Sequence, residues 1–276
     1  RQADTRELEL VVQKMLLSCL VAAIGLALPV LPARVVLSPV PTVHVYDHCP
    51  FCVRVRLAFG LKNIKHNVNF LANDDVATPT ALVGKKVSPI FQDGALVMPE
   101  SLDIIRLVDS DPKYGPVGMF KPGSERKDIK AWEKKHQNLM REVQRPRYVK
   151  SVGFPEFAQK DGRTAFVKNH QLPPYEKADW KADVSQEKKE ELYDAAFAKS
   201  AELLPLFNAA LAELEPMIHC PDCVTDGGLS YDDIEFWSRV RSCTLVKGAV
   251  YGPKLKAYLD NYSTLGDVPL YYSMAL

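Results

Sequence analysis

Two C-x-x-C pairs are the residues of this sequence whose types and spacing could do chemistry. Cys49 and Cys52 enclose Pro-Phe, and Cys220 and Cys223 enclose Pro-Asp, so that these pairs hold four of the six cysteines in 276 residues. Six cysteines are too few for a disulfide scaffold in a chain of this length. The spacing instead predicts redox or metal chemistry, because two thiols one helical turn apart can form a disulfide or bind a metal as thiolates.

The first pair lies between a predicted strand and a predicted helix. Residues 42–46 (TVHVY) alternate and are β-rich, Pro50 suits the first turn of a helix, and residues 67–71 (NVNFL) predict a second strand. Strand–helix–strand in this length predicts a parallel βαβ unit. A sulfur at a helix N-terminus meets free backbone N–H groups and the positive end of the helix dipole, which lower its pKa. We therefore expect Cys49 to be the nucleophilic thiolate and Cys52 the resolving thiol.

The CPFC motif has a neighbouring histidine and a possible second use in metal binding. His48, next to the first cysteine, could add positive charge when protonated, but we favour a solvent-facing loop histidine. A zinc site is the alternative to redox chemistry, with Cys49 and Cys52 joined by Cys220 and Cys223. That site needs two loops far apart in the sequence to converge, so redox chemistry is the stronger prediction, and we expect no metal.

The segment after the βαβ unit predicts a hairpin and a helix. Residues 87–91 (VSPIF) predict a strand near Pro89, and a cis proline there would leave backbone groups free to pair with a bound peptide. An Asp-Gly turn then leads to a short strand at residues 95–98. Glu100 and Ser101 open the next helix, whose N–H groups could bind the carboxylate of an amino-acid-like group. Simple capping of that helix by Ser101 is the alternative.

The second half of the chain predicts a helical scaffold. Residues 112–123 hold three prolines and three glycines and are predicted to be a linker. No strand pattern follows Asp111. Apolar spacing predicts a helix starting at Ser124, a long helix over residues 185–218 that Pro205 kinks, and an adaptable, aromatic surface over residues 154–183.

Two details complete the helical half. Ser230 and Asp233 have the spacing of a capping box at the start of a helix, in which Cys243 is expected to be a small buried apolar residue. Cys220 and Cys223 fall on a loop, where they could form a second disulfide, act as a relay thiol pair or stay unpaired.

The first 42 residues predict a leader or targeting segment outside the fold. Residues 15–30 are a nearly unbroken apolar run, and its length of about 16 residues suits a signal-peptide core better than the roughly 20 that span a bilayer. Segment 15–33 therefore resembles a signal for the secretory pathway or an organelle. We expect a cytoplasmic protein if that segment is an artefact, and a membrane partner only if it is not cleaved.

Composition excludes some classes of function. Apolar residues make up 47% and charged residues 25%, with a net charge of +1, which is typical of a folded globular protein. A dedicated nucleic-acid binder needs a basic stripe to exchange for counterions, and the sequence has no long basic run, so we expect no nucleic-acid partner.

Several motifs resemble the glutaredoxin 2 family of large glutaredoxins. The similar stretches are YDHCPFC at 46–52, FGLKNI at 59–64, NDD at 73–75, TP at 78–79, VGKK at 83–86, MPES with DI at 98–105, and SMAL at 273–276. The resemblance runs from about Val43 to the end of the sequence. It implies an α/β thioredoxin-like domain (βαβαββα) over 43–111 and, after the linker 112–123, an all-α glutathione-transferase-like domain over 124–276.

The resemblance also implies a function and a set of site residues. It implies glutathione as cosubstrate and protein disulfides or glutathionylated proteins as substrates, with Cys49 as nucleophile and Cys52 as its partner. The glutathione-binding residues carried over by position are Phe51, Ser88, Pro89, Glu100 and Ser101. Ser88 stands where the family usually has valine, although its backbone can still hold the cysteine of glutathione.

The sequence therefore predicts a glutathione-dependent thiol–disulfide oxidoreductase that works through the CPFC motif. The main alternative is a glutathione transferase or isomerase, although conjugation needs no second thiol. A redox-sensing module of the same fold, without turnover, and an iron–sulfur carrier stay open as further alternatives.

Overall fold

The computed structural model describes residues 40–276, and these belong to one compact unit. The predicted targeting segment 15–33 lies outside the described residues. No helix in the described part of the chain has the length and apolar character that crossing a membrane requires.

The N-terminal part is built around a sheet of four short strands. These are β1 (Thr42–Val45), β2 (Asn67–Phe70), β3 (Ile90–Asp93) and β4 (Leu96–Pro99), in the spatial order β2-β1-β3-β4. Strand β1 is parallel to β2, while β3 is antiparallel to both β1 and β4. Three helices complete this part: α1 (Pro50–Leu61), α2 (Ala77–Val83) and α3 (Ser101–Ser110). The predicted βαβαββα order is therefore confirmed.

Seven further helices follow α3. They are α4 (Lys127–Lys150), α5 (Lys160–Asn169), α6 (Lys177–Ala182), α7 (Gln186–Ala198), α8 (Ser200–Ala212), α9 (Tyr231–Val240) and α10 (Pro253–Leu265), joined in places by short 3-10 turns. In the described residues no named strand follows β4, which agrees with the predicted helical half. The predicted domain limits at 43–111 and 124–276 stay predictions.

The start of α4 differs from the prediction. The backbone N–H and the hydroxyl of Ser124 both donate to the carboxylate of Asp232, each at 2.7 Å. These bonds hold Ser124 in the connection to α9, and the helix begins only at Lys127.

The single long helix predicted over residues 185–218 is wrong. The helix is interrupted at Lys199, between α7 and α8, and Pro205 lies inside α8. At the break the hydroxyl of Ser200 donates to the carbonyl of Phe197 at 2.5 Å and accepts from Arg147 at 2.9 Å. A serine side chain that bonds to nearby backbone competes with helix continuation, which explains a boundary at this residue.

The predicted adaptable surface over residues 154–183 is also wrong, because this segment forms a second hydrophobic core. Its buried members include Phe154, Phe157, Phe166 and Trp180. The indole N–H of Trp180 donates to the carbonyl of Val167 at 2.9 Å. The aromatic residues are spread over short helices and a 3-10 turn, so the sequence shows no sustained period.

One close backbone contact joins the sheet part to the helical part, and a buried capping box begins α9. A Cβ atom on Gly60 in α1 would lie 1.8 Å from the carbonyl oxygen of Gly266, just after α10, so the two backbones can touch only because Gly60 has no side chain. The predicted capping box of Ser230 and Asp233 is confirmed at the start of α9. Asp233 is fully buried and also accepts from the backbone N–H of Val224 at 2.6 Å.

Candidate active site

Cys49 stands at the N-terminus of α1, where the sequence places it. It is the N-cap residue, Pro50 follows in the first turn, and the thiol is partly exposed. A hydrogen bond from Cys52 lowers the pKa of Cys49 to about 6, with further help from the charge of His48 and the backbone N–H groups of Cys52 and Phe51, although burial opposes the shift. At neutral pH the arrangement therefore favours a thiolate at Cys49.

Cys52 has the opposite character. It is fully buried, and its sulfur accepts a hydrogen bond from the backbone N–H of Tyr46 at 3.3 Å and lies 3.1 Å from the hydroxyl of Ser88. Burial raises the pKa of Cys52 well above the ordinary value, as do the hydrogen bond and the negative charge of Cys49. Cys49 therefore has the properties of an attacking thiolate, and Cys52 has those of a resolving thiol that stays protonated.

His48 is not the solvent-facing histidine that we favoured. Only 8% of it is exposed, and its Nδ1–H donates to Glu156 Oε1 at 2.6 Å. The same oxygen accepts from the backbone N–H of His48 at 2.8 Å. The prediction failed because Glu156 comes from the distant helical half, and no local signal links it to the CPFC motif.

The ring of His48 is packed among aromatic side chains of the second core. Its centroid lies 4.9 Å from that of Phe157, 5.0 Å from Tyr148 and 5.1 Å from Phe166. This packing fixes the ring beside Cys49. Glu156 Oε2 is buried with no hydrogen-bond partner among the described residues, so Oε1 alone carries the polar contacts of that carboxylate.

Asp47, in the loop between β1 and α1, connects that loop to the helical half through a buried ion pair. Arg241 is 2% exposed and donates to the carboxylate of Asp47 at 3.1 Å and to its carbonyl at 2.8 Å. Burial alone would raise the pKa of Asp47, but Arg241 and Arg56 together hold it below its ordinary value. Tyr271 also donates to the carbonyl of Asp47, at 2.7 Å.

Four of the five predicted glutathione-binding residues lie at one end of the β3–β4 hairpin, while Phe51 lies in α1. The register pairs Ile90 with Pro99, so Ser88 and Pro89, just before β3, lie beside Glu100 and Ser101, just after β4. The Ser88–Pro89 peptide bond is cis, as predicted. The hydroxyl of Ser88 also lies within reach of the carbonyl of His44, at 3.1 Å. The glutathione-binding roles themselves stay predictions.

The alternative prediction, that the Ser101 side chain caps α3, is wrong. Ser101 is the first residue of the helix, Glu100 occupies the N-cap position, and no side chain caps this end. Glu100 has a φ of +75°, in a region that non-glycine residues rarely adopt and that often marks functional sites. The first N–H groups of α3 are therefore available to an acidic group.

A cleft of about 760 Å³ opens beside Cys49. Its walls include Cys49, Phe51 and Ser88 on the sheet side, and the helical side adds Trp132, Glu133, Gln144, Arg145, Tyr148 and Cys243. Pro89, Glu100 and Ser101 are not among the lining residues. Phe51 is 47% exposed, so its ring offers an apolar surface to a ligand. No pattern in the sequence predicted the helical wall of this cleft.

Cys243 is the small buried residue that the sequence predicts, although it follows α9 in the 3-10 turn Arg241–Leu245 instead of lying inside that helix. Burial raises the pKa of Cys243 to about 12. A protonated, buried thiol is a poor nucleophile, so Cys243 is chemically distinct from Cys49 although both line the cleft.

The second pair, Cys220 and Cys223, has free thiols in this structure, with the sulfurs 3.2 Å apart. Burial raises the pKa of Cys223 to about 12. Among the residues 40–276, the cluster with metal-ligating spacing comprises His219, Cys220 and Cys223. It includes neither cysteine of the CPFC motif, so the zinc site that would combine both pairs is not formed.

The fold and the site together define a class of protein: a small thioredoxin-like sheet with C-x-x-C at the start of its first helix, followed by an all-helical, glutathione-transferase-like domain. Residues 128–275 match the family model described as Glutaredoxin 2, C terminal domain, and residues 43–116 match Glutathione S-transferase, N-terminal domain. The chain belongs to the glutaredoxin 2 family.

Individual relatives agree with this assignment. Glutaredoxin 2 of Escherichia coli strain K12 is 34% identical over 235 residues, which cover 84% of this chain and 99% of that protein. The crystal structure of glutaredoxin 2 from Salmonella typhimurium, in complex with glutathione, aligns with a TM-score of 0.72 at 34% identity. That alignment covers 87% of this chain and 100% of the Salmonella chain.

Proposed function

We propose that this protein is a glutathione-dependent thiol–disulfide oxidoreductase in which Cys49 is the nucleophile and Cys52 the resolving thiol. The observation that carries the proposal is the difference between the two sulfurs. Cys49 is partly exposed and has a lowered pKa, whereas Cys52 is buried and has a raised pKa. Thiol–disulfide exchange needs this combination of an available thiolate and a second thiol in reserve.

The reaction begins with attack of the Cys49 thiolate on a disulfide sulfur of the substrate. The S–S bond of the substrate breaks, a mixed disulfide with Cys49 forms, and the departing thiolate takes a proton. In the dithiol route Cys52 loses its proton and attacks Cys49, which releases the second substrate thiol and leaves a Cys49–Cys52 disulfide. Two glutathione molecules then reduce this disulfide and leave as oxidised glutathione. In the monothiol route the mixed disulfide joins Cys49 to glutathione, and the thiolate of a second glutathione attacks the sulfur of the bound glutathione, which breaks the bond to Cys49, forms oxidised glutathione and restores the Cys49 thiolate.

Glutathione as the reductant is supported by the Salmonella relative, whose structure holds glutathione. In this chain the cleft beside Cys49, the exposed ring of Phe51 and the backbone at Ser88 would receive the cysteine and glycine parts. Glu100, Ser101 and the uncapped N-terminus of α3 would receive the γ-glutamyl group. We further propose that protein disulfides and glutathionylated proteins are the substrates.

The test is glutathione-dependent reduction of a small mixed disulfide by the wild type, Cys49→Ser and Cys52→Ser. We expect Cys49→Ser to lose turnover. We expect Cys52→Ser to keep turnover on a glutathionyl substrate, by the monothiol route, and to lose reduction of protein disulfides. Cys243→Ser is the matched control, because Cys243 lines the same cleft but its buried thiol should stay protonated.

Other outcomes would favour the other functions. A wild-type protein that binds glutathione but conjugates it to an apolar electrophile, without reducing disulfides, would be a transferase. A protein that forms the Cys49–Cys52 disulfide but does not cycle with glutathione would be a redox-sensing module. Either result would refute the proposed oxidoreductase.

A further inference from the structure

The loop between α8 and α9 holds three metal-ligating side chains that the proposed redox chemistry does not use. The ligand atoms of His219, Cys220 and Cys223 all lie within 4.8 Å of one another. We propose that this loop binds a zinc-class divalent cation through one imidazole nitrogen and two thiolates, with the fourth position open to water or an added ligand. A metal at this loop would contradict the sequence-based prediction that the protein binds no metal. The proposal does not depend on the proposed oxidoreductase function.

The donor set selects the class of metal. Thiolate and imidazole suit Zn²⁺, whereas Mg²⁺ and Ca²⁺ take oxygen ligands. Zn–S bonds of about 2.3 Å in a tetrahedral site place two sulfurs about 3.8 Å apart. The sulfurs of Cys220 and Cys223 are 3.2 Å apart, so side-chain rotations that separate them by roughly half an ångström would admit the ion.

The backbone already places both sulfurs on the same side of a tight hairpin. The N–H of Cys220 donates to the carbonyl of Cys223 at 3.0 Å, and the N–H of Cys223 donates back at 3.3 Å. Pro221 and Asp222 form the two-residue turn between them. Residues paired in this way across a hairpin direct their side chains to the same face, so both thiols converge on one point.

Neighbouring elements anchor this hairpin. Tyr262 of α10 donates its hydroxyl to the carbonyl of Asp222 at 2.7 Å, and Asn261 donates to the carbonyl of Pro221 at 3.0 Å. On the other side Arg126 donates to the carbonyl of Val224 at 2.6 Å. A loop held at both ends loses little conformational freedom when it binds an ion, which favours binding.

Charge balance and accessibility fit the same assignment. Two thiolates, a neutral imidazole and a divalent cation sum to zero, and binding releases the two thiol protons to solvent. Cys223 is 6% exposed, while His219 is exposed and provides the side from which an ion can enter. Disulfide exchange is the weaker use of this pair, because neither sulfur stands at a helix N-terminus and Cys223 is hidden from a partner disulfide.

The test uses the full chain, fully reduced and metal-free, titrated with Co²⁺ alone as a spectroscopic probe and then with Zn²⁺. We expect d–d absorption in the visible region and a thiolate-to-cobalt charge-transfer band, both abolished when Zn²⁺ displaces Co²⁺. Cys223→Ser should lose the charge-transfer intensity, and His219→Ala should bind at least about tenfold more weakly. Cys49→Ser and Cys52→Ser, the controls for the other thiol pair, should keep the wild-type spectrum.

Three results would overturn the site. They are no cobalt spectrum in a wild type with all thiols free, a spectrum lost in Cys49→Ser but kept in Cys223→Ser, or a native Cys220–Cys223 disulfide that reductant does not open. His219→Ala keeps the test decisive if a cysteine variant does not fold, because the exposed His219 side chain can be removed without loss of core packing.

Discussion

Glu156 Oε1 accepts two hydrogen bonds from His48, one from the backbone N–H at 2.8 Å and one from Nδ1–H at 2.6 Å. One carboxylate oxygen therefore fixes both the chain and the ring of the residue that precedes the nucleophile. The carboxylate of Glu156 thus engages the Nδ1 side of the ring. The positive charge that helps to lower the pKa of Cys49 belongs to this ring.

Removing either member of this pair should raise the pKa of Cys49. His48→Phe keeps an aromatic ring in the aromatic core but removes the charge, and Glu156→Gln leaves the ring without its carboxylate partner. Alkylation of Cys49 by iodoacetamide, followed against pH, should have its midpoint near 6 in the wild type. We expect a higher midpoint in both variants, with the larger change in His48→Phe, because the thiolate then forms only at higher pH.

Glu133→Gln is the matched control for Glu156→Gln. Glu133 lines the cleft beside Cys49, but its carboxylate forms an ion pair with Arg239 at 2.9 Å and makes no hydrogen bond to His48 in the described part of the chain. An unchanged midpoint in His48→Phe would show that the helix N-terminus and Cys52 alone set the acidity of Cys49.

Ser88→Val should slow the dithiol route selectively. The hydroxyl of Ser88 lowers the pKa of Cys52 against the stronger effect of burial, so valine should leave Cys52 harder to deprotonate. We expect reduction of a protein disulfide to slow by about threefold to tenfold, the cost of one hydrogen bond. Glutathionyl substrates that use the monothiol route should be little affected. An equal loss of activity on both routes would contradict this role.

Arg241→Met should destabilise the fold strongly. Removing Arg241 leaves the buried Asp47 with Arg56 as its other arginine partner, so we expect a cost near the lower end of the about 3–5 kcal/mol in the free energy of unfolding that breaking a buried ion pair entails. Arg239→Met is the control, because that partly exposed arginine pairs with Glu133 and should cost less than about 1 kcal/mol. Urea unfolding at neutral pH measures both variants, and equal effects would contradict the assignment.

The same ion pair predicts a pH dependence. The pKa of Asp47 is lowered in the folded protein, so its contribution to stability is complete above the unfolded-state pKa of about 3.9 and is lost as the pH falls through the folded-state value. The difference between wild type and Arg241→Met should therefore shrink in acid.

Gly60→Ala should destabilise the packing of α1 against the segment after α10. The added Cβ would lie 1.8 Å from the carbonyl oxygen of Gly266, and backbone must move to make room. We expect a loss of at least about 1–3 kcal/mol, typical of an overpacked core. Gly227→Ala is the control, because the nearest neighbour of its Cβ would be a hydroxyl at 3.6 Å. Thermal unfolding measures the stability of both variants. Equal stability of Gly60→Ala and Gly227→Ala would contradict the prediction, because it would mean that the two backbones separate at little cost.

Local signals explain which parts of the fold could be predicted. The alternation at residues 42–46, Pro50 after the first cysteine and the Ser230–Asp233 spacing each act within a few residues, and each predicted its element correctly. Boundaries set by partners elsewhere were missed. The start of α4 depends on Asp232, and the break at Lys199 involves the hydrogen bond that the distant Arg147 donates to Ser200.

The candidate site divides in the same way. Cys49 at the helix N-terminus followed from the sequence, because strand, proline and helix adjoin the motif. Glu156 could not be found, because it lies in a segment without period and meets His48 across 108 positions of sequence. Neither could the helical wall of the cleft, since only the packing of the two halves creates it.

The setting of His48 has a consequence for modularity. The CPFC motif belongs to the sheet half, but the carboxylate of Glu156 and the rings of Tyr148, Phe157 and Phe166 that pack on its histidine come from the helical half. A chimaera that grafted residues 40–123 onto another helical partner would keep Cys52 and the N-terminus of α1, and would lose the contacts that hold His48 beside Cys49. The thiol of such a chimaera should therefore be less acidic than that of the whole protein, because part of its acidity is inherited from the helical half.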